Sequence, residues 1–156
     1  MKKIIAIAFV LGLVVACKPE IKPIGTSYKA GAGIPGTWEM NKLEMTDITV
    51  PVPETRDLSI LLENPSNKLI ITIAGDGTYT VDEPGFGPQV LGTGGAWATD
   101  TVDFPTMIAW YSNEGDTLMT DLTNMPRTID NTFGFEFTRN RCDTDYLTYS
   151  YSFNRK

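Results

Sequence analysis

The sequence predicts a single all-β domain of antiparallel strands, and three observations predict it. Apolar and polar residues alternate at period two in several short segments, as strands with one buried face do. Glycine-bearing turns separate these segments at intervals of roughly 8–15 residues. Helical spacing of apolar residues is confined to one stretch, residues 53–65. About eight such strands in one domain describe a barrel or a sandwich, at most with one short helix. Closure into a barrel removes exposed strand edges.

Residues 1–16 stand outside that domain. Lys2 and Lys3 precede Ile4–Val15, an apolar run of 12 residues. That run is too short to cross about 30 Å of hydrocarbon as a helix, so it reads as a cleaved signal peptide. Val14-Val15-Ala16-Cys17 has the form of a bacterial lipobox. Cleavage before Cys17 would leave it as the first residue, carrying acyl chains such as palmitate and anchoring the protein without spanning the membrane. Polarity switches at once to Lys18-Pro19-Glu20, as expected behind such a site. Among Gram-negative lipoproteins, which this start resembles, Lys18 in place of Asp implies the outer membrane, on its periplasmic face or the cell surface.

Residues 17–35 are rich in proline and glycine and predict a tether. The barrel domain is expected over 36–156, with its first ordered residues near Ile34 to Gly36. In the first strand Trp38 and Met40 share one face, and Leu43 and Met45 then change phase, which predicts a bulge or a twist. Pro53 and the i, i+3, i+4 set Leu58, Leu61 and Leu62, stopped by Asn64-Pro65, predict a short helix, with a strand as the alternative. Leu69–Ile73 and Thr78–Val81 flank Gly75-Asp76-Gly77, a hairpin signature. Ala96-Trp97-Ala98 is a short strand. Thr106–Tyr111 and Thr117–Thr123 pair across Ser112–Asp116. Phe133, Phe135 and Phe137 alternate with polar residues, as do Leu147, Tyr149, Tyr151 and Phe153, joined by the loop Arg139 to Asp145. This last hairpin holds 7 of the 15 aromatic residues beyond residue 16, so it should form a major wall of the core.

Charge and cysteine content narrow the partners. The precursor carries −6, and loss of Lys2 and Lys3 makes it −8. Such a surface repels phosphate backbones, so no nucleic-acid partner is expected. Cys142 is the only cysteine besides Cys17, so an internal disulfide is not expected once Cys17 is acylated. The sequence contains no histidine, the commonest general base and metal ligand. No serine sits in a Gly-x-Ser-x-Gly turn. Gly92-Thr93-Gly94-Gly95 lacks the lysine of a phosphate-binding loop. The loop acids Asp100 and Asp103, Glu114 and Asp116, and Asp143 and Asp145 lack calcium-loop spacing and read as solvated charge. A carboxylate pair serving glycoside hydrolysis would require two of them across a cleft. The expectation is a non-enzymatic protein with no metal and no cofactor.

Gly36-Thr37-Trp38 opens the first strand, and this Gly-x-Trp resembles the lipocalin hallmark. Gly75–Val81, Gly95-Ala96-Trp97, Phe104–Ile108 and Ser150–Phe153 follow in the order seen in lipocalin-like lipoproteins of Gram-negative bacteria. The resemblance implies an eight-stranded lipocalin-like barrel with Gly36 and Trp38 at its floor. It also implies an arginine of the last strand packed over Trp38. Arg155, which continues the face of Tyr151 and Phe153, is the first choice and Arg139 the second.

The candidate barrel interior comprises Trp38, Tyr79, Trp97, Trp110, Phe135, Tyr149 and Tyr151. These side chains either fill the barrel or line a pocket for a small apolar or amphipathic molecule or a sugar. Bulky residues such as Phe133, Phe135 and Phe137 favour a solid core, and small ones such as Gly94, Gly95, Ala96 and Ala98 favour a cavity. The membrane, through Cys17, is the expected partner, and no motif names a protein partner. The rival reading is a solid module whose loops bind a protein or glycan.

Overall fold

The computed structural model describes residues 30–124, 131–141 and 144–156. Nine strands are present among the described residues: β1 (Gly36–Asp47), β2 (Glu54–Asp57), β3 (Ile70–Ile73), β4 (Thr78–Glu83), β5 (Gly94–Thr99), β6 (Met107–Ser112), β7 (Thr117–Leu122), β8 (Thr132–Arg141) and β9 (Thr144–Arg155). All pairings are antiparallel. Eight strands run in sequence order, β1-β3-β4-β5-β6-β7-β8-β9, and β9 returns to β1. The sheet is therefore a closed eight-stranded barrel. The short β2 is an addition, paired to the distal part of β1 beyond the end of β3.

The long strands explain the closure. β1 pairs β3 through Gly36–Glu39 on one edge and β9 from Trp38 to Asp47 on the other. The register slips between Met40 and Lys42. This slip is the predicted bulge: Trp38 and Met40 face inward before it, and it keeps Leu43 inward after it. The β8–β9 hairpin is longer than the sequence suggested. Its strands extend to Arg141 and from Thr144, with a register shift at Arg139/Asn140, where a loop from Arg139 to Asp145 was expected. Polar side chains at the end of an antiparallel ladder weaken the alternation signal without breaking the backbone pairing.

The segment 53–65 is resolved differently from its main expectation. Glu54–Asp57 is strand β2, and only Ser59–Glu63 winds, as a 3₁₀ turn. Thr46 and Thr55 bond across β1 and β2, and Leu58 N donates to Leu43 O. These links hold the chain extended where Pro53 would have allowed a first helical turn. Leu62 is buried and Leu61 is exposed, so the leucine spacing served a single turn.

The core is a column of large side chains. Trp38, Met40, Ile71, Ile108, Phe133, Phe135 and Phe153 are fully enclosed, and Tyr79, Trp110 and Tyr151 nearly so. Ring pairs run through the barrel: Trp38–Phe133 at 5.2 Å, Phe133–Phe153 at 5.6 Å, Phe135–Tyr151 at 5.2 Å and Tyr79–Trp110 at 5.1 Å. Each buried aromatic contributes roughly 1.5–3 kcal/mol by leaving water, before entropy is charged against it. The small residues do not open this column, because Ala96 and Ala98 face outward.

Candidate functional site at the barrel mouth

The two ends of the barrel differ. At the floor, Ala30–Gly33 forms a 3₁₀ turn and Ile34 is fully buried. These residues belong to the folded unit, although their composition suggested tether. Trp38 Nε1 donates to Ile34 O at 2.8 Å, and Arg155 donates to Pro35 O at 3.0 Å and to Gly33 O at 2.9 Å. The Arg155 guanidinium lies 4.4 Å from the Trp38 ring centroid. A Cβ on Gly36 would run into that guanidinium, so only glycine leaves room for it. Arg139 lies at the other end of the barrel.

That other end, the mouth, is bounded by the β4–β5 connection and the free end of the β8–β9 hairpin. A cleft of about 390 Å³ opens there, between the loop residues Gly85–Val90 and a wall of Phe137, Arg139, Tyr149 and Tyr151. Phe137 stacks on Tyr149 at 5.7 Å and 19°, and on Tyr151 at 6.0 Å and 14°. Register makes this wall: Phe137 faces Tyr149 and Phe135 faces Tyr151 across the hairpin. The period-two aromatic face thus continues from the core to the opening, with Arg139 next in the series.

The loop is fitted closely. Gly85 has φ +46°, and a Cβ there would strike the Asn67 and Lys68 backbone. A Cβ on Gly87 would stand 2.9 Å from both Leu69 methyl carbons. Phe86 N donates to Asn67 O at 2.9 Å, and the Tyr151 hydroxyl donates to Phe86 O at 3.3 Å. Burial, reinforced by neighbouring Tyr149, pushes the Tyr151 phenol well above the ordinary tyrosine range, and Arg139 offsets this only in part. Tyr151 therefore remains a neutral donor. Behind the loop lies a second cleft of about 330 Å³, walled by Leu69, Val81, Leu91 and Glu114.

The seven interior candidates separate into three groups. Trp38, Tyr79, Trp110 and Phe135 are enclosed in the core and line neither cleft. Their polar atoms are occupied: Tyr79 donates to Leu91 O at 2.9 Å and Trp110 Nε1 to Thr120 Oγ1 at 2.9 Å. Trp97 is half-buried and donates to Ala74 O in the β3–β4 turn, at the floor end. Only Tyr149 and Tyr151 reach the mouth cleft. The sequence reading missed Phe137, Arg139 and the loop 85–90 as lining. The Phe-x-Phe-x-Phe-x-Arg series of β8 carried the signal for the first two. Nothing local marks a loop that folds back over a distant strand.

The loop acids are engaged or solvated. Asp100 accepts from Thr106 N, Thr106 Oγ1 and Met107 N, and these bonds lower its pKa to about 2. Asp103, Glu114, Asp116 and Asp145 are exposed. Among the described residues no three of His, Cys, Asp and Glu gather as a metal site. Cys17, Cys142 and Asp143 lie outside the described residues. No protein-family model matches the chain, and no curated protein matches it.

Proposed function

We propose that this protein is a lipid-anchored protein of the Gram-negative envelope, related to lipocalin-like lipoproteins, that binds a small amphipathic molecule at its barrel mouth without catalysing a reaction. The mouth cleft carries the reading. Its volume lies within the range of small-molecule sites, and it joins an aromatic wall to a few convergent polar groups. The solid core beneath restricts the ligand to the upper barrel, so binding energy comes from partial burial. The signal peptide and Cys17 support the anchor and the outer-membrane location.

Native mass spectrometry of residues 18–156, purified from a Gram-negative periplasm, tests the binding. An adduct lost on denaturation, and lost from Tyr149→Ala, supports the cleft. An adduct unaffected by Tyr149→Ala places the ligand elsewhere. The anchor is tested separately, because Cys17→Ser should move the full chain from the membrane fraction to the soluble one.

A second reading has its own observation. Val52, Ile60, Leu61, Phe86 and Val90 are exposed on the connections at the mouth end. In this reading the solid barrel is a support, and these loops bind a protein or glycan.

A further inference from the structure

The inward face of β8 changes character along its length. Phe133 and Phe135 are fully buried, Phe137 borders the cleft, and Arg139 completes the series at the opening. Among the described residues that line the cleft, Arg139 is the only charged one. Arg141, two residues on, lines another cleft at the hairpin end with Thr144 and Tyr146. Both cations stand at one end of one strand, in a chain whose net charge is −6.

We propose that the mouth cleft takes a planar aromatic anion, its ring added to the Phe137–Tyr149 stack and its charge held by Arg139. This deepens the cleft-binding reading and rests on it. Three arguments support it. First, the Phe137 ring lies within 19° of parallel to those of Tyr149 and Tyr151, and all three line the cleft, where a flat ring can join them. Second, any ligand that covers the cleft strips water from the Arg139 guanidinium. A neutral ring leaves that loss uncompensated, whereas an anion replaces the water with charge-assisted hydrogen bonds. Third, among the described residues the lining holds no carboxylate to receive a cation or to repel an anion.

Isothermal titration calorimetry of residues 18–156 at low salt tests this with naphthalene-2-sulfonate and its neutral isostere naphthalene-2-sulfonamide. The sulfonate should bind about tenfold tighter or more, a preference that salt erodes. R139Q should abolish the preference by weakening the sulfonate while sparing the neutral sulfonamide the cost of covering a guanidinium, and R139K should restore part of the preference. Tyr149→Ala should weaken both ligands. Arg139 is exposed, and an unchanged melting temperature for R139Q would separate binding from folding. Equal affinity for the two probes, or a preference that survives R139Q, overturns the anion class and leaves cleft binding standing. Failure of both probes to bind overturns the aromatic class, and an adduct lost from Tyr149→Ala in the native mass spectrum would then keep cleft binding standing.

Discussion

Arg155 and Trp38, paired across β9 and β1, together hold three consecutive backbone carbonyls. Trp38 takes Ile34 O, and Arg155 takes Gly33 O and Pro35 O while stacking on the indole at 4.4 Å. The strap that enters the barrel is thus fastened to its last strand, over 120 residues away in sequence. This floor seals the end opposite the cleft.

Removal of either side chain should be costly. Trp38→Ala should destabilise the barrel by about 3–5 kcal/mol, because a fully buried indole leaves a cavity. Arg155→Ala should cost about 2 kcal/mol through the cation–π contact and the two carbonyls left unpaired. The double variant should cost less than the sum, since both act on one strap. Urea unfolding at constant m-value measures all three. A Trp38→Ala loss under about 1 kcal/mol would remove Trp38 from the floor.

Much of this was readable in the chain, and the reasons are physical. The β8 and β9 alternation is strong because one face is uniformly aromatic, and the bulge in β1 announced itself as a phase change between Met40 and Leu43. The floor pair was implied by the resemblance of Gly36-Thr37-Trp38 to the lipocalin hallmark, with Arg155 chosen because it falls in phase with Phe153. The mouth was less legible. Its loop is seated by the Phe86 N–H bond to Asn67 O and by the close approach of Gly85 to the Asn67 and Lys68 backbone, and such contacts leave no periodic trace. A strand at β2 was only the alternative reading because Pro53 and the leucine spacing favour a turn of helix, while cross-strand bonds to β1 favour extension.

Alkaline pH should weaken the protein through its buried phenols. Burial raises the Tyr79 and Tyr151 pKa values above those of the unfolded chain, so the folded state holds its protons longer. Stability is complete below the unfolded value near pH 10 and falls as pH rises beyond it toward the folded values. Tyr151→Phe should reduce this alkaline dependence in urea titrations above pH 9 or so. An unchanged slope would show that Tyr151 is free to ionise in the folded barrel.

Acid should loosen the β5–β6 connection. Asp100 titrates at about 2 because Thr106 and Met107 donate to its carboxylate, so the folded state favours the charged form. That contribution is present above the unfolded value near pH 4 and is lost as pH falls toward 2. Asp100→Asn should raise the hydrogen-exchange rates of the Thr106 and Met107 amides and flatten the acid limb. A directly measured Asp100 pKa near 4 would show that the carboxylate does not hold this loop.

The loop over the mouth should depend on Gly85 more than on any side chain it carries. Its φ of +46° disfavours an L-residue, and a Cβ would meet backbone at Asn67 and Lys68, which cannot swing away as a side-chain end could. Gly85→Ala should cost about 1–3 kcal/mol through backbone strain and the clash. The Phe86 N–H should then lose its bond to Asn67 O and exchange faster, while Trp38 and Phe133 at the floor keep their packing. Gly87→Ala should be milder, because the Leu69 side chain can shift, although Pro84 O at 2.8 Å still crowds the site. Amide exchange at Phe86, followed alongside the near-ultraviolet dichroism of the core tryptophans, separates a displaced loop from a loosened barrel. Loss of both signals together in Gly85→Ala would mean that the loop is an integral part of the core.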